Sequence, residues 1–246
     1  HTYIDETKIE ANTNKYTWVW KKSCITNRNK VFNKITELIE KINKEELMLL
    51  GVKIETRTEY AIEYLEEILK NYTKILNIDE SKFVYGRGKR KTNIQRNYEK
   101  IKEYKERLKE YAKHIEICGE KRGSYSKTDK SATFMRIKTD YMGNDQLLPA
   151  YNLQIGVCEE YIATLDFKQY ASDMDCFVPL MEKFNKIYGK YPKYPIADAG
   201  YGSYNNYIYC EEHGMEKFMK FTMFEKETKN EKYKNNPYRV VNFKRD

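Results

Sequence analysis

The sequence offers no cysteine pair to build on: Cys24, Cys118, Cys158, Cys176 and Cys210 are scattered, with no C-x-x-C among them. That spacing excludes a zinc knuckle, and an odd, dispersed set speaks for a reducing compartment and against a disulfide framework. Histidine is equally thin. His1, His114 and His213 lie far apart, so no His/Cys metal site follows from their spacing. No apolar run approaches the ~20 residues that span a bilayer, and no signal-like segment opens the chain. The expectation is a soluble, cytoplasmic protein with no membrane partner. Starting at His1 instead of Met and stopping in VVNFKRD, the chain reads as cut at both ends.

What the chain does have is charge and length. Its 246 residues suffice for one sizeable core or two modest domains. Lys and Arg number 45 against 37 Asp and Glu, a formal excess of +8. Such a balance favours nucleic acid or another polyanion as partner.

The texture of the chain changes twice. Residues 2–21, TYIDETKIEANTNKYTWVWKK, read as two strands and a loop, with Asp5 inside the first run. From about Asn29 to Glu120 apolar residues recur at three- and four-residue steps, which predicts helices. The clearest series runs Ile94, Tyr98, Ile101, Tyr104, Leu108, Tyr111, Ile115, Cys118. Such a seam packs on neighbouring helices or on a second chain, and the sequence alone does not choose. Between the second and third helices lies SKFVYGRGKRKTNIQR, the densest basic stretch. Its Arg87, Lys89, Arg90, Lys91 and Arg96, beside Tyr85, Gly86 and Gly88, are candidates for DNA phosphate contact; the alternative is a solvated connector.

Strand texture then returns. YNLQIGVC and YIATLDFK predict a hairpin turning at Glu159–Glu160, and SDMDCFVPLMEKFNKIYGK predicts a helix with Phe177, Leu180, Met181, Phe184 and Ile187 on its apolar face and Gly189 as its stop. A strand in YPIADA, a helix in YNNYIYCEEHG and a strand in EKFMKFTMF follow, then a polar loop from Glu225. Removing the helical block leaves an α/β domain with a mixed sheet flanked by helices. The expected organisation is a first part of the core at 1–28, an all-α insertion at 29–120, the rest of the core at 121–224, and a basic tail at 225–246.

Within YPIADAGYGS, Asp198 ends a short apolar run just before a Gly-x-Gly turn. Asp and Gly are ordinary turn residues. Yet a strand's carboxyl end is also where α/β proteins place chemistry. If Asp5 and Asp198 lie on adjacent strands, two carboxylates converge as a Mg²⁺ or Mn²⁺ site requires, and paired cations serve phosphodiester chemistry.

The strings IDETKIEANTNKYTWVWKK, SYSKTDKSATFMRIK, YNLQIGV and PIADAGYGSYNNYIYCEEHG, in that order, resemble the DDE transposases of bacterial insertion sequences. That resemblance implies a ribonuclease H-like core, Mg²⁺ or Mn²⁺ as cofactor, double-stranded DNA as partner, and a nucleoid-associated place in the cell. It also implies Asp5 and Asp198 as the first two catalytic, metal-binding carboxylates. Three departures stand out. Glu6 replaces the usual Gly after the first Asp, Lys130 and Ser131 replace a turn proline and an acid, and no Glu-bearing helix with following basic residues succeeds Asp198. Glu211, Glu212, Glu225 and Glu227 read as solvated charges, Asp129 as a turn residue, and Asp173 and Asp175 as helix caps. The two functions that follow are a DDE transposase fragment that cuts and joins DNA, and an inactive remnant that binds DNA or pairs into a homodimer through its helices. A ribonuclease H-like nuclease ranks third. Most tyrosines, Trp18 or Trp20, and all five cysteines read as core.

Overall fold

The computed structural model describes residues 1–137, 143 and 146–243. In chain order the elements are β1 (Thr2–Glu10), β2 (Trp18–Trp20), α1 (Lys21–Ile42), α2 (Ile62–Ile75), α3 (Asn93–Cys118), β3 (Ser124–Ser126), β4 (Thr133–Arg136), β5 (Leu147–Cys158), β6 (Tyr161–Lys168), α4 (Phe177–Tyr188), β7 (Pro195–Ala197), α5 (Tyr204–Glu212), β8 (Phe218–Met219), α6 (Phe224–Lys229) and α7 (Glu231–Lys234). They divide into two compact units, one of residues 1–18 with 125–246 and one of residues 19–124. No helix among the described residues is long and apolar enough to cross a membrane.

The unit at 19–124 is helical. Its first helix starts at Lys21, eight residues before the periodic apolar positions begin at Asn29. Cys24 is buried and stands seven residues before Val31, two turns earlier on the same face, so packing extends the helix back to the end of the run at 2–21 that reads as strand. The third helix begins where its pattern does, with the Thr92 hydroxyl accepting the Gln95 N–H at 3.1 Å as an N-cap. Its seam of Tyr98, Ile101, Tyr104 and Leu108 is buried against Val31, Ile35 and Ile39 of α1 and Leu65 and Ile68 of α2. Each fully buried aliphatic side chain here contributes about 1.5–3 kcal/mol. The seam therefore packs inside the unit. One polar tie crosses this core: Glu46 accepts from the Tyr72 hydroxyl and, at 2.8 Å, from the Asn97 amide. Burial pushes the Tyr72 pKa up, so its hydroxyl stays a donor.

The other unit is built on the mixed sheet of an α/β fold. β1 lies antiparallel to β5, from Tyr3↔Val157 to Glu10↔Ala150, and parallel to β7, from Thr2↔Pro195 to Ile4↔Ala197. β8 extends the parallel side, and β4 and β6 pair with the far edge of β5. One face is covered by α4 and α5, whose Phe177, Leu180, Met181 and Cys210 pack on Ile4, Tyr201 and Met215. Pro179 falls in the first turn of α4, where its missing N–H costs nothing, and Gly189 ends the helix at φ 68°. Ile187, expected on the apolar face, is exposed. The opposite sheet face carries Tyr3, Phe167 and Phe218 at 58, 56 and 54% exposure.

The hairpin of β5 and β6 turns at Glu159 and Glu160, which hold φ of 50° and 70°. Side chains with a Cβ resist that region, and Asn-Gly is the pair that suits such turns. Replacing both, E159N with E160G, is expected to raise stability by about 0.5–1 kcal/mol, read as a higher denaturant midpoint at unchanged slope. An unchanged or lower midpoint would refute it.

Other readings shift with packing. The buried residue of β2 is Val19, between Trp18 and Trp20, and Trp18 is exposed while meeting Phe134 edge-on at 5.6 Å. Four cysteines are buried as expected, with burial pushing the Cys176 thiol up to about 12, but Cys158 is only half-buried. The stretch from Glu225 holds the short helices α6 and α7 where a loop was expected; Lys229 pairs with Glu225 at 2.9 Å along α6, and the Asn230 side chain caps α7 by accepting the Tyr233 N–H at 2.9 Å.

Candidate functional site

Asp5 is the fourth residue of β1, and Asp198 directly follows the last residue of β7. Since Ile4 pairs with Ala197 in parallel register, the next step along each strand brings Asp5 and Asp198 level on neighbouring strands. Ile4 and Ala197 both belong to the core beneath α4 and α5, so strand alternation sends the Asp5 side chain to the opposite face, where it is exposed. Asp198 is exposed too. Alternation also separates Asp5 from its neighbour Glu6. The Glu6 position lies opposite the buried Gln154 on the helix-covered side, so the bulky charge that replaces a glycine does not crowd Asp5.

Backbone amides fix one oxygen of each carboxylate. The Asp5 Oδ1 accepts from the Glu6 N–H at 2.9 Å, and the Asp198 Oδ1 from the Gly200 N–H at 2.8 Å. Asp198 thereby caps the single 3-10 turn Ala199–Tyr201. Among the described residues nothing bonds the two Oδ2 atoms. A pair of exposed carboxylates with one oxygen held and one open is a donor set for Mg²⁺ or Mn²⁺, which take oxygen ligands and keep several waters. Among the described residues no cluster of three or more His, Cys, Asp or Glu is arranged as a cation site.

The glycines after Asp198 have separate reasons. A Cβ on Gly200 would stand 3.0 Å from the Asp198 Oδ1, so its absence leaves the carboxylate room to cap. A Cβ on Gly202 would stand 2.1 Å from the Lys220 carbonyl and 3.0 Å from the Phe221 Cα. The close approach that the Gly-x-Gly spacing suggests is thus filled at Gly202 by the chain that follows β8. Ser203 then starts α5 by accepting the Asn206 N–H at 3.2 Å.

The remaining acids are engaged elsewhere. Asp173, expected as a helix cap, makes no side-chain cap bond; its carboxylate accepts the Asn152 and Gln154 amides at 2.7 and 3.2 Å. The polar residues of YNLQIGVC face inward, where the half-buried Asp173 carboxylate satisfies their amides. Asp129 accepts the Ser131 N–H and the Tyr151 hydroxyl, a turn role. Glu211 and Glu227 bond Lys217 and Arg239 at 2.7 and 2.8 Å, and Glu212 is exposed on α5. Asn152, Gln154 and Tyr201, all buried, and the half-buried Asp173 form a chain of bonds that sequence reasoning missed. Its one legible signal is the alternation of Asn152 and Gln154 with Leu153 and Ile155.

The basic candidates lie in the helical unit, Arg87, Lys89, Arg90 and Lys91 between α2 and α3 and Arg96 in the first turn of α3. Arg87, Lys89, Arg90 and Arg96 are exposed, and Gly86 and Gly88 sit at φ of 98° and 82°, values an L side chain resists. Lys91 differs. Half-buried, it bonds Glu99 and stands 5.2 Å from the centre of the Tyr85 ring.

A family model described as transposase DDE domain matches residues 112–245, more than half of the chain. The matched span contains Asp198 and Gly202, and Asp5 precedes it. No curated protein and no solved structure matches.

Proposed function

Since the chain belongs to the family of transposases with a DDE domain, we propose that it carries the catalytic core of an insertion-sequence transposase, with Asp5 and Asp198 holding Mg²⁺ or Mn²⁺. The observation that supports this most is the register of β1 on β7, which puts two acids 193 positions apart in sequence side by side. The reaction class is metal-dependent phosphodiester chemistry on double-stranded DNA: water opens a bond at the element's end, and the freed 3′-OH attacks target DNA. A bound divalent cation supplies charge neutralisation at the phosphate and a more acidic water. The chain's own part is to present the Oδ2 atoms of Asp5 and Asp198 while the Glu6 and Gly200 amides keep both carboxylates from rotating.

The exposed Arg87, Lys89, Arg90 and Arg96 are proposed to hold DNA phosphates, with Lys91 shaping the loop through Glu99 and Tyr85. Replacing Arg87 and Arg90 together by Ala is expected to weaken duplex binding and to reduce the slope of log K against log salt by about 1 per lost contact. A slope equal to the parent's would remove these residues from the interface. The α3 seam is buried within the helical unit, so pairing of chains forms no part of the proposal.

The deciding experiment incubates the chain with a linear DNA duplex and either Mg²⁺, Mn²⁺ or a chelator. Metal-dependent strand cleavage supports the proposal. Salt-sensitive binding with no cleavage in either metal would mark a DNA-binding remnant, and preferential cleavage of an RNA–DNA hybrid a ribonuclease H-like nuclease.

A further inference from the structure

The side of the sheet away from Asp5 holds an unusual amount of buried polarity. Asn152, Gln154 and Tyr201 are each 0% exposed. The Tyr201 hydroxyl donates to Gln154 Oε1; the Gln154 amide donates to Asn152 Oδ1 at 2.9 Å and to Asp173 Oδ1 at 3.2 Å. Asn152 donates in turn to Asp173 at 2.7 Å and to the Tyr170 carbonyl at 3.2 Å. A second amide, that of buried Asn206, donates to the Tyr201 carbonyl at 2.7 Å and the Met174 carbonyl at 2.9 Å. Tyr201 is therefore clamped at both its hydroxyl and its carbonyl. It also closes the turn that Asp198 caps, its own N–H reaching the Asp198 carbonyl at 3.4 Å.

Gln154 sits on β5 opposite Glu6, the residue after Asp5. The chain of bonds thus ties the Asp198 turn to the strand that pairs with the Asp5 strand, and β7 itself is too short to do this, ending at Ala197. Burial and the nearby acids Asp173, Glu6 and Asp198 push the Tyr201 pKa up, so the hydroxyl is a lasting donor. A hydrophobic residue would fill the space at Tyr201 or Gln154 without directional bonds. Fully bonded buried networks select one geometry where apolar packing tolerates several.

We propose that Tyr201 is a positioning residue, holding the Asp198 carboxylate level with Asp5 through Gln154, Asn152 and Asp173. This rests on the reading of Asp5 and Asp198 as a cation site. Tyr201→Phe keeps the ring and removes only the donor. It is expected to speed amide exchange at residues 199–203 by about tenfold or more while β1, β5 and α4 keep their protection, and to weaken Mn²⁺ binding, followed by electron paramagnetic resonance, about tenfold. Gln154→Met should reproduce both effects, and Tyr72→Phe, which deletes a buried hydroxyl in the helical unit, should produce neither. Unchanged exchange at 199–203 in Tyr201→Phe would overturn the proposal, as would loosening spread evenly over the sheet, which marks a purely structural role. If the parent chain and Asp198→Asn bind Mn²⁺ alike, the cation reading itself fails, and the exchange data still decide whether Tyr201 holds the turn.

Discussion

Replacing Asp198 by Asn is expected to abolish metal-dependent strand cleavage, with a loss of about 10³-fold or more. Asn keeps an Oδ1 that accepts the Gly200 N–H, so the cap of the Ala199–Tyr201 turn survives. What goes is the negative charge and the basicity of the open oxygen, and carboxylates are the ligands that hold a hard cation. Losing the cation's share of transition-state stabilisation, several kcal/mol, removes roughly three powers of ten in rate. Asp5→Asn carries the same expectation for the same reason, since its Oδ1 likewise takes a backbone N–H. Single-turnover cleavage in Mn²⁺, with unchanged circular dichroism as the check on folding, measures both. Full activity in either variant would remove that aspartate from the site.

Gly202→Ala is expected to be the most disruptive small substitution in the sheet unit. Its φ of −69° is ordinary, so strain in the backbone is not the cause. The cause is space: the new methyl would meet the Lys220 carbonyl at 2.1 Å, the Tyr207 hydroxyl at 2.8 Å and the Phe221 Cα at 3.0 Å. Two of those three are backbone atoms after β8, which do not swing aside as a side-chain end does. Overpacking of this kind costs about 3 kcal/mol. In a unit of this size that lowers the melting temperature by about 6–12 °C. Gly200→Ala is the internal comparison. The nearest atoms to its methyl belong to the Asp198 carboxylate, the end of a side chain, at 3.0 Å and beyond, so the fold should lose much less while cation binding weakens. Equal melting temperatures for Gly202→Ala and the parent chain would show that the approach of β8 relaxes freely.

Both variants lie in the matched span of the transposase family, and both rest on features the sequence displays in part. The string ADAGYGS shows an acid and two glycines at a strand's end. It does not show that one glycine makes room for a carboxylate and the other for a passing backbone, because Lys220 and Phe221 carry no signal of their own. Asp173 misled for a related reason. Asp before a helix is a cap by local rules, and here Asn152 and Gln154, brought in by β5, outcompete the helix amides for its oxygens.

By itself the sequence determined what depends on near neighbours. The 3.6-residue period set α2 and α3 almost to the residue, Gly189 marked a stop, and two polar residues placed the turn between β5 and β6. The motif strings supplied the family. Tertiary structure decided what depends on partners far along the chain: the extension of α1 back to Lys21, the inward turn of Asn152 and Gln154, and the pairing of β1 with β7 that sets Asp5 beside Asp198. Helix and turn signals are written within a few residues because their bonds close within a few residues. Strand register is fixed by hydrogen bonds and buried side chains from segments nearly the whole chain apart, and no local pattern records which strand will be the neighbour.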